Sequence, residues 1–413
     1  VDGVRTPYQT SGSGYEDVPA WQLARHAITA LLARNGALEP ATLGRVIYGT
    51  VLQEVRTSNI AREAALAADV PRSVPAHTVT MACISSNQAV TSGVELIRTG
   101  NVRSVVAGGV ETMSDVPIRF QRALRKRMLA STRIKRSAGF GAYLKLLRGV
   151  KLRDLAPEAP PIAEFSTNEV MGHSADRLAA RWGVSRAAQD EFAARSHTLA
   201  AAASRDGLLI DRVPVVTERG TVSDDNGVKG DSSVEKLAKL KPAFVKPHGT
   251  VTAASSSFLT DGASAALVME RDAALADGHA PRAYLRDYVY VGCDPKEELL
   301  LGPAYAIREL LARNNMRVAD VDVWELHEAF AGQVLANINA LDSAEFGNVG
   351  RVPIDKLNTR GGSLSLGHPF ASTGVRLITT AANRLHDEDK HIAVVAACAA
   401  GGLGTAMIVE RHK

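Results

Sequence analysis

The stretch that decides the fold occurs twice: residues 28–50 read ITALLARNGALEPATLGRVIYGT, and residues 307–325 read IRELLARNNMRVADVDVWE. In each copy, apolar residues at helical spacing end at Asn-Gly or Asn-Asn, and an acidic turn then leads into an apolar run. Each copy therefore predicts a helix, a turn and a buried strand. An internal repeat of this kind indicates a duplicated α/β unit.

A second pair of matching segments follows in each half. Residues 92–97 (SGVELI) precede residues 105–109 (VVAGG), and residues 373–378 (TGVRLI) precede residues 394–398 (VVAAC). Each pair predicts an amphipathic helix that leads into a Val-rich strand, and such strands suit a sheet covered on both faces. We therefore expect the α/β fold class, with layered sheets of mixed or parallel pairing.

The repeat also divides the chain into domains. The first half is expected to occupy residues 1–115 and to resume over residues 249–279, and the second half is expected over residues 280–413. Residues 116–248, which include a predicted helix over 185–207, have no counterpart in the second half. This segment is therefore predicted to be an inserted loop domain.

Composition excludes several classes of protein. The 413 residues are 46% hydrophobic and 22% charged, which is ordinary for a soluble chain with more than one domain. No run of about 18 apolar residues predicts a transmembrane helix, and no signal peptide is visible. The chain starts at Val1 without Met, so a few residues or a targeting segment are expected to be missing. Three cysteines without metal-ligand spacing indicate a reducing compartment, with no disulfide framework and no zinc site.

The first candidate reactive group is Cys83, within residues 80–89 (TMACISSNQA). It precedes a predicted helix over residues 89–99, and the dipole and free N–H groups of a helix N-terminus stabilise a thiolate. We therefore expect a lowered pKa for Cys83 and N–H groups that hold an oxyanion. The alternative is a buried structural cysteine, and the position of Cys83 alone favours neither the reactive nor the structural interpretation.

Two further candidates lie in the second half. Residues 361–374 (GGSLSLGHPFASTG) place His368 among glycines before a predicted helix over 372–385, where a histidine can act as a base for a thiol. Residues 396–404 (AACAAGGLG) place Cys398 at the end of a buried strand, where it could exchange protons with a substrate and the following N–H groups could hold an oxyanion. The alternatives are a satisfied structural histidine and a tight turn between strands in which the cysteine only packs.

The repeat connects the three candidates. Cys83 precedes a helix in the first half, and His368 precedes the matching helix in the second half. In a pseudo-symmetric fold the helix starts and strand ends of the two halves face each other, and open α/β sheets bind ligands at the carboxyl ends of strands. We therefore expect Cys83, His368 and Cys398 to share one site.

Eight ordered motifs resemble the thiolase family, over essentially the whole chain. They are residues 1–7 (VDGVRTP), 81–86 (MACISS), 108–114 (GGVETMS), 249–253 (GTVTA), 261–263 (DGA), 327–330 (HEAF), 367–369 (GHP) and Cys398 with its glycines. The resemblance is strongest to the trifunctional-type members of the family, which act in fatty-acid β-oxidation. It implies duplicated halves layered α-β-α-β-α with an inserted loop domain.

The resemblance also implies an activity, the thiolytic cleavage of 3-ketoacyl-CoA of medium to long chain. Coenzyme A would be a co-substrate, with no bound cofactor and no metal. Cys83 would attack the keto carbon and take the shortened acyl group, and Cys398 would protonate the departing acetyl-CoA carbanion. His368 would activate Cys83 and help to bind the thioester oxygen. The N–H groups of Cys83 and Ala400 would form an oxyanion hole for the keto oxygen.

Two departures from the family pattern concern the site. Many members carry Asn where this chain has His327, and many have a glycine after the second cysteine, where this chain has Ala399 and Ala400. We expect His327 to hold the oxygen or water that Asn would hold, and a backbone N–H serves from either alanine. By resemblance, substrate contacts are expected from Ser257 and Met171 along the CoA pantetheine, and from Phe330 and Leu301 near the acyl-binding wall.

A net charge of +4 conceals a local excess of positive charge. Twelve Lys and Arg residues and no acid lie between Asp115 and Asp154, and the rest of the chain has 36 basic against 44 acidic residues. Apolar residues at helical spacing accompany this basic segment (119–153), namely Phe120, Leu124 and Met128, then Phe140, Tyr143, Leu144 and Leu147. The pattern favours an anionic membrane surface or an acidic partner over a merely solvated face, with the CoA phosphates as another candidate. Nucleic acid is not expected, since the remaining surface is acidic.

The expected partners are acyl-CoA and CoA, further copies in a homodimer or tetramer, and, by resemblance, an α subunit with hydratase and dehydrogenase activities. The expected location is the cytoplasm of a bacterium, with peripheral membrane contact, or the mitochondrion of a eukaryote. Three alternatives stay open: a short-chain acetoacetyl-CoA thiolase, a ketoacyl-synthase-type condensing enzyme, and a non-catalytic acyl-CoA carrier. The condensing enzymes lack the second cysteine, and a carrier needs none of Cys83, His368 and Cys398.

Overall fold

The computed structural model describes residues 1–131, 148–158 and 163–411. Its helices are α1 (Ala20–Arg34), α2 (Ile60–Ala67), α3 (Ser85–Arg98), α4 (Arg122–Ser131), α5 (Met171–Arg181), α6 (Arg186–Arg205), α7 (Val234–Leu237), α8 (Arg271–Ala276), α9 (Gly302–Arg313), α10 (Ala331–Leu341), α11 (Ser363–Leu366) and α12 (Thr373–Asp387). Its strands are β1 (Asp2–Arg5), β2 (Gln9–Thr10), β3 (Arg45–Gly49), β4 (Ala76–Val79), β5 (Ser104–Glu111), β6 (Arg119–Phe120), β7 (Pro157–Glu158), β8 (Val215–Thr217), β9 (Gly220–Val222), β10 (Thr260–Met269), β11 (Tyr284–Gly292), β12 (Val323–Leu326), β13 (Ile392–Ala399) and β14 (Leu403–Glu410). Short 3₁₀ helices include Val318–Asp320 and Phe370–Ser372.

Two mixed sheets share one strand order. The first runs β1-β10-β5-β3-β4, with β2 added beside β10, and the second runs β11-β14-β13-β12. In the first sheet β3 and β5 are parallel and β10 is antiparallel to both β5 and β1. In the second sheet β12 and β13 are parallel and β14 is antiparallel to both β13 and β11. The predicted α/β duplication is therefore confirmed for four strands of each sheet, and β2 and β4 are additions to the first sheet.

The repeated sequence forms the same local structure in both halves. Helix α1 leads through a turn into β3, and α9 leads through a 3₁₀ turn into β12. Asn35 closes α1 and donates a side-chain hydrogen bond to the Leu31 carbonyl at 2.8 Å, and Asn314 closes α9 by donating to the Leu310 carbonyl at 2.9 Å. Carbonyls in the last turn of a helix have no intrahelical partner, so the two asparagines satisfy the same need.

Helices α3 and α12 form the layer between the two sheets. Helix α3 packs on β3 and β5, and α12 packs on β12 and β13 while also contacting β1 and β10. Their N-termini touch: the Val375 N–H donates to the Ser86 hydroxyl at 3.0 Å, and a Cβ on Gly374 would lie 2.1 Å from the Asn87 side-chain oxygen. The close approach requires glycine, and it brings the starts of the two helices together as the repeat predicts.

The segment between the two halves carries its own small elements. It contains the two-stranded sheets β6–β7 and β8–β9 and helices α4 to α7, and α6 confirms the helix predicted over 185–207. Because the first sheet is completed by β10, we propose the division predicted above, with 1–115 and 249–279 in one half, 116–248 inserted and 280–413 in the other half.

The predicted apolar stripe of the basic segment needs one correction. Phe120 does not lie on a helix with Leu124 and Met128, because it belongs to strand β6, which pairs with β7. Leu124 lies on α4 and is buried, whereas Met128 on the same helix is exposed. The second predicted stripe, from Phe140 to Leu147, lies outside the described residues. Within the described ranges, no helix combines the length and apolarity needed to span a bilayer.

Candidate active site

Cys83 lies in a tight loop at the start of α3. The preceding residue, Ala82, has φ of 46°, a left-handed conformation that costs a non-glycine residue about 1–2 kcal/mol. Ser85 stabilises this loop, since its hydroxyl accepts the Met81 N–H at 2.8 Å and donates to the Ala82 carbonyl at 2.6 Å. The position of Cys83 just before a helix is confirmed, although the helix begins at Ser85 rather than at the predicted residue 89.

The expected lowering of the Cys83 pKa is wrong for this structure. Burial raises the pKa of the Cys83 thiol to about 12, because desolvation disfavours the thiolate. Hydrogen bonds from the N–H groups of Ala400 and of Cys83 itself lower the pKa, as the helix-start argument supposed, but their effect is smaller. The same two N–H groups were predicted to form an oxyanion hole, and the Ala400 N–H does point at the Cys83 sulfur. The thiol must therefore give its proton to a base before it can attack.

Glu111 is a buried carboxylic acid near the Cys83 thiol. It ends β5, and its carboxylate accepts the N–H groups of Val51 at 3.1 Å, Leu52 at 2.9 Å and Ala371 at 3.4 Å. Burial raises the pKa of Glu111 to about 7, and its charge contributes to the raised pKa of Cys83. Glu111 thus joins the first half to the segment that follows His368.

The imidazole rings of His327 and His368 lie in contact, tilted relative to each other. Their ring centroids are 4.1 Å apart with a tilt of 46°. His368 Nδ1 lies 2.7 Å from the Thr373 hydroxyl, and His327 Nδ1 lies 3.0 Å from the Ser363 hydroxyl. Each ring is therefore held at Nδ1, which leaves Nε2 of both rings for other chemistry.

Both Nε2 atoms are buried and have no hydrogen-bond partner among the described residues. Burial, with a contribution from the Arg376 charge, lowers the pKa of His368 to about 3. Burial and the neighbouring His368 hold the pKa of His327 well below its usual range. Both rings are consequently neutral at physiological pH, and a neutral imidazole can accept a proton or donate an N–H to an oxygen.

Cys398 lies next to the turn that joins β13 to β14. The turn needs glycine, because Gly401 and Gly402 have φ of 86° and 69°. The Gly401 N–H donates to the Glu164 carboxylate at 2.7 Å, so the inserted segment holds this turn. Burial and the neighbouring Cys83 raise the pKa of the Cys398 thiol. Cys398 is thus a protonated thiol beside the candidate nucleophile, near the end of β13 and just before the predicted tight turn.

The fold explains why these groups converge. His327 directly follows β12, and its N–H donates to the Ala396 carbonyl of β13 at 2.8 Å, two residues before Cys398. Because β12 and β13 are parallel neighbours, His327 and Cys398 lie at the same edge of the second sheet. His368 and Cys83 precede α12 and α3, whose starts are in contact. We propose that the four side chains share one site, as the sequence predicts for Cys83, His368 and Cys398 and as the family resemblance implies for His327.

Three of the predicted substrate contacts belong to one apolar cluster, and the fourth, Ser257, is hydrogen-bonded to the residue before Phe330. Phe330 pairs with Ser256 in an isolated bridge, and the Ser257 N–H donates to the Ala329 carbonyl at 2.9 Å. Phe330 and Met171 belong to one apolar cluster, and so does Leu301, whose side chain is fully buried. We retain Ser257, Met171, Phe330 and Leu301 as proposed substrate contacts.

Sequence reasoning missed several residues that support these groups. The buried set comprises Ser363 and Thr373 on the two histidines, Arg376 behind Ser363, Glu164 on the glycine turn and Glu111 beside Cys83. Ser363 and Thr373 belong to the glycine-rich segment 361–374 that contains His368. Arg376 is a buried arginine on the helix predicted over 372–385. Nothing in the sequence pairs Glu164 with Gly401, because the two residues are 237 positions apart.

The described residues contain no group of three or more His, Cys, Asp or Glu placed to hold a metal ion. The site is instead built from two thiols, two neutral imidazoles and backbone N–H groups. A thiol with a nearby base and amide donors can take an acyl group as a thioester and release it again.

Comparison with known proteins gives a consistent result over the whole chain. Residues 1–272 match the thiolase N-terminal domain and residues 279–411 match the thiolase C-terminal domain. A probable 3-ketoacyl-CoA thiolase of Caenorhabditis elegans is 55% identical over 100% of this chain and 93% of that protein. The human mitochondrial trifunctional enzyme subunit beta is 55% identical, covering 100% of this chain and 88% of that protein.

More distant relatives agree. A 3-ketoacyl-CoA thiolase of Serratia proteamaculans is 41% identical over 99% of this chain and 96% of that protein. The crystal structure of the Bacillus anthracis acetyl-CoA acetyltransferase superposes with a TM-score of 0.85 at 32% identity, covering 99% of this chain and 97% of that one. The chain belongs to the thiolase family.

Proposed function

We propose that this protein is a 3-ketoacyl-CoA thiolase of fatty-acid β-oxidation, which cleaves medium- to long-chain 3-ketoacyl-CoA with CoA as co-substrate. The observation that carries the proposal is the convergence of the Cys83 thiol, the Ala400 N–H and a second thiol, Cys398. The neutral pair His327 and His368 supplies the base and the donors. The names of the relatives agree with this reaction.

In the first half-reaction Cys83 transfers its proton to His368 Nε2, and the thiolate attacks the keto carbon. The N–H groups of Cys83 and Ala400 stabilise the oxyanion that forms on the keto oxygen. The bond between C2 and C3 then breaks, and the electron pair passes to the acetyl-CoA carbanion. Cys398 protonates that carbanion, while His327 and His368 donate to the thioester oxygen. The products are acetyl-CoA and an acyl thioester on Cys83.

In the second half-reaction CoA enters and its thiol gives a proton to the Cys398 thiolate. The CoA sulfur attacks the acyl carbon, and the same two amide N–H groups stabilise the second oxyanion. Cys83 leaves as a thiolate and takes back its proton from His368. Every group of the protein returns to its starting protonation state. The same steps run backwards give condensation, so the residues permit both directions.

The test is CoA-dependent cleavage of 3-ketohexadecanoyl-CoA and of acetoacetyl-CoA by the purified protein. We expect turnover of the long substrate and its loss in Cys83→Ala. Cys293→Ala is the matched control, because this half-buried thiol lies against the Glu298 and Gly402 carbonyls rather than beside Ala400. Activity on acetoacetyl-CoA alone would replace the proposal by a short-chain thiolase, as the likeness to an acetyl-CoA acetyltransferase favours. Activity on neither substrate would refute the catalytic assignment.

We propose in addition that the protein works in an assembly. A homodimer or tetramer is proposed, and so is an α subunit with hydratase and dehydrogenase activities, since a 55% identical human relative is a trifunctional enzyme subunit beta. Co-purification with a co-expressed α subunit, measured by light scattering, tests this. The proposed location is mitochondrial in a eukaryote and cytoplasmic in a bacterium.

The basic segment (119–153) supports a proposed peripheral contact with anionic membrane. In its described part, Phe120, Met128 and Leu129 are exposed next to arginines and lysines of α4. Apolar side chains beside a cationic face bind anionic headgroups and the acyl boundary together. Flotation with anionic liposomes should carry the protein upward, and sedimentation with both anionic and neutral liposomes would refute the contact.

A further inference from the structure

A buried chain of hydrogen bonds ends at the imidazole of His327. Arg376 Nη2 donates to the Ser363 hydroxyl oxygen at 2.9 Å, and that oxygen lies 3.0 Å from His327 Nδ1. Arg376, Ser363 and His327 are all at most 1% exposed. Ser363 begins α11 and Arg376 lies on α12, so two helices meet at this histidine.

The direction of the bond between Ser363 and His327 follows from its donors. Arginine only donates, so the Ser363 oxygen accepts one hydrogen from Arg376. If His327 Nδ1 also carried a hydrogen, it would donate to the same oxygen. The serine hydrogen would then have no acceptor among the described residues, and a buried donor without a partner costs about 1–3 kcal/mol. If Nδ1 is bare, the serine donates to it, so both hydrogen bonds at the Ser363 oxygen have a donor and an acceptor, and the His327 ring keeps its own hydrogen on Nε2 for a ligand.

We propose that Arg376 and Ser363 are positioning residues that hold His327 as the tautomer with its hydrogen on Nε2. The inference rests on the proposed function only in assigning a substrate oxygen as the acceptor of that hydrogen. His327 Nε2 is buried and unpartnered among the described residues, as an N–H kept for a ligand would be. His327 is thereby a fixed donor to an oxyanion rather than a base.

The neighbouring imidazole, His368, has no comparable arginine and serine pair at its Nδ1 among the described residues. His368 Nδ1 lies 2.7 Å from the Thr373 hydroxyl, and no other donor to that hydroxyl is present in the described part of the chain. Thr373 can therefore donate to Nδ1 or accept from it, and His368 can change its tautomer as protons move. The structure assigns different tasks to two similar rings: His327 donates, and His368 exchanges a proton.

The first test reads the tautomer directly in the resting protein. Solid-state ¹⁵N spectra of protein labelled only in histidine are recorded for the wild type and for His327→Asn, whose missing signals identify His327. We expect Nδ1 to show the shift of an unprotonated ring nitrogen and Nε2 that of a protonated one. Protonated Nδ1 in the wild type would overturn the inference.

The second test removes the support. Ser363→Ala and Arg376→Met are expected to give mixed His327 tautomers and to lower kcat for thiolysis at least about 10-fold with little change in KM, against about 10²–10³ for full loss of an oxyanion donor. Ser363→Thr keeps the hydroxyl and should restore both readouts. Ser365→Ala is the matched control, because this buried hydroxyl on α11 contacts Gly362 and Ser196 instead.

The outcomes separate the inference from the proposed function. An unchanged tautomer and unchanged kcat in both Ser363→Ala and Arg376→Met would overturn the positioning role. Thermal melting of each variant shows whether a loss of kcat comes from unfolding, and the tautomer of a folded variant decides the question even without turnover. If His327 Nε2 is protonated in the wild-type protein but the protein cleaves no 3-ketoacyl-CoA, the proposed function is refuted and the tautomer assignment is upheld.

Discussion

Gly109→Ala is the substitution for which the structure predicts the sharpest effect at the site. Gly109 lies in β5 between Gly49 of β3 and Ser264 of β10. A Cβ at this position would lie 2.0 Å from the carbonyl oxygen of Ala371 and 2.6 Å from its carbonyl carbon. Both are backbone atoms, so no flexible side chain can move out of the way.

The size of the effect follows from this distance. The Ala371 carbonyl must retreat from 2.0 Å to at least 3.4 Å, and Ala371 belongs to the 3₁₀ helix that follows His368. Overpacking of this kind costs about 1–3 kcal/mol of stability. A displacement of about 1 Å in a group that positions the chemistry costs about 10²-fold in rate. We therefore expect kcat to fall by about two orders of magnitude in a protein that still folds.

The assay is steady-state thiolysis together with urea unfolding, with Gly292→Ala as the matched control. Gly292 is a strand glycine at the end of β11, and a Cβ there would meet no atom within 4 Å. The control should keep both its activity and its stability. Wild-type kcat in Gly109→Ala would show that the segment after His368 tolerates the shift, and the argument from close packing would then be wrong.

Three further predictions concern charge and proton transfer. Burial lowers the pKa of His368 to about 3, so the unfolded chain takes up the proton first as the pH falls from about 6.5. Protonation of His368 should therefore lower the free energy of unfolding by about 1.4 kcal/mol per pH unit between about pH 6 and 4. In His368→Asn, urea unfolding at a series of pH values should show a dependence on pH that is smaller by this amount. Arg5→Met removes the 2.6 Å ion pair of the buried Asp225 and leaves it only Arg212 at 3.5 Å, and this should cost about 3–5 kcal/mol in urea unfolding. Cys398→Ala should slow deuterium exchange into the methyl group of acetyl-CoA by about 10²–10⁴-fold, because the carbanion loses its proton donor.

Each of the three can fail in a definite way. An identical pH slope in His368→Asn would mean that His368 titrates normally in the folded protein. A loss below about 1 kcal/mol in Arg5→Met would mean that Arg212 or water compensates the Asp225 charge, as in an exposed ion pair. Wild-type exchange in Cys398→Ala would assign the proton transfer to another group.

The repeat predicted the architecture because it is a local signal copied twice. Apolar spacing and the terminal asparagines, Asn35 and Asn314, specify a helix end within a few residues, and the same side-chain bond closes both helices. The position of Cys83 before a helix and that of Cys398 before a glycine turn were likewise local. Such features can be read from sequence, since the residues that cause them are neighbours in the chain.

The remainder of the site depends on residues far apart in the chain. The pKa of Cys83 was predicted in the wrong direction because its burial comes from tertiary packing, whereas the helix start is local. The bond from Gly401 to Glu164 joins residues 237 positions apart. Phe120 was assigned to a helix because its spacing fits, but its pairing with β7 made it a strand.

The strand order of the first sheet has a consequence for biosynthesis. Strand β10 lies between β1 and β5, and Val4 pairs with Ala265 across more than half of the chain. About 150 residues separate the end of β5 from β10, which a ribosome at about 5–20 residues per second needs roughly 10–30 s to make. Throughout that interval the facing edges of β1 and β5 have no partner and are open to pairing with other chains. The edges of β1 and β5 are therefore the sites at which we expect the nascent chain to aggregate until β10 emerges.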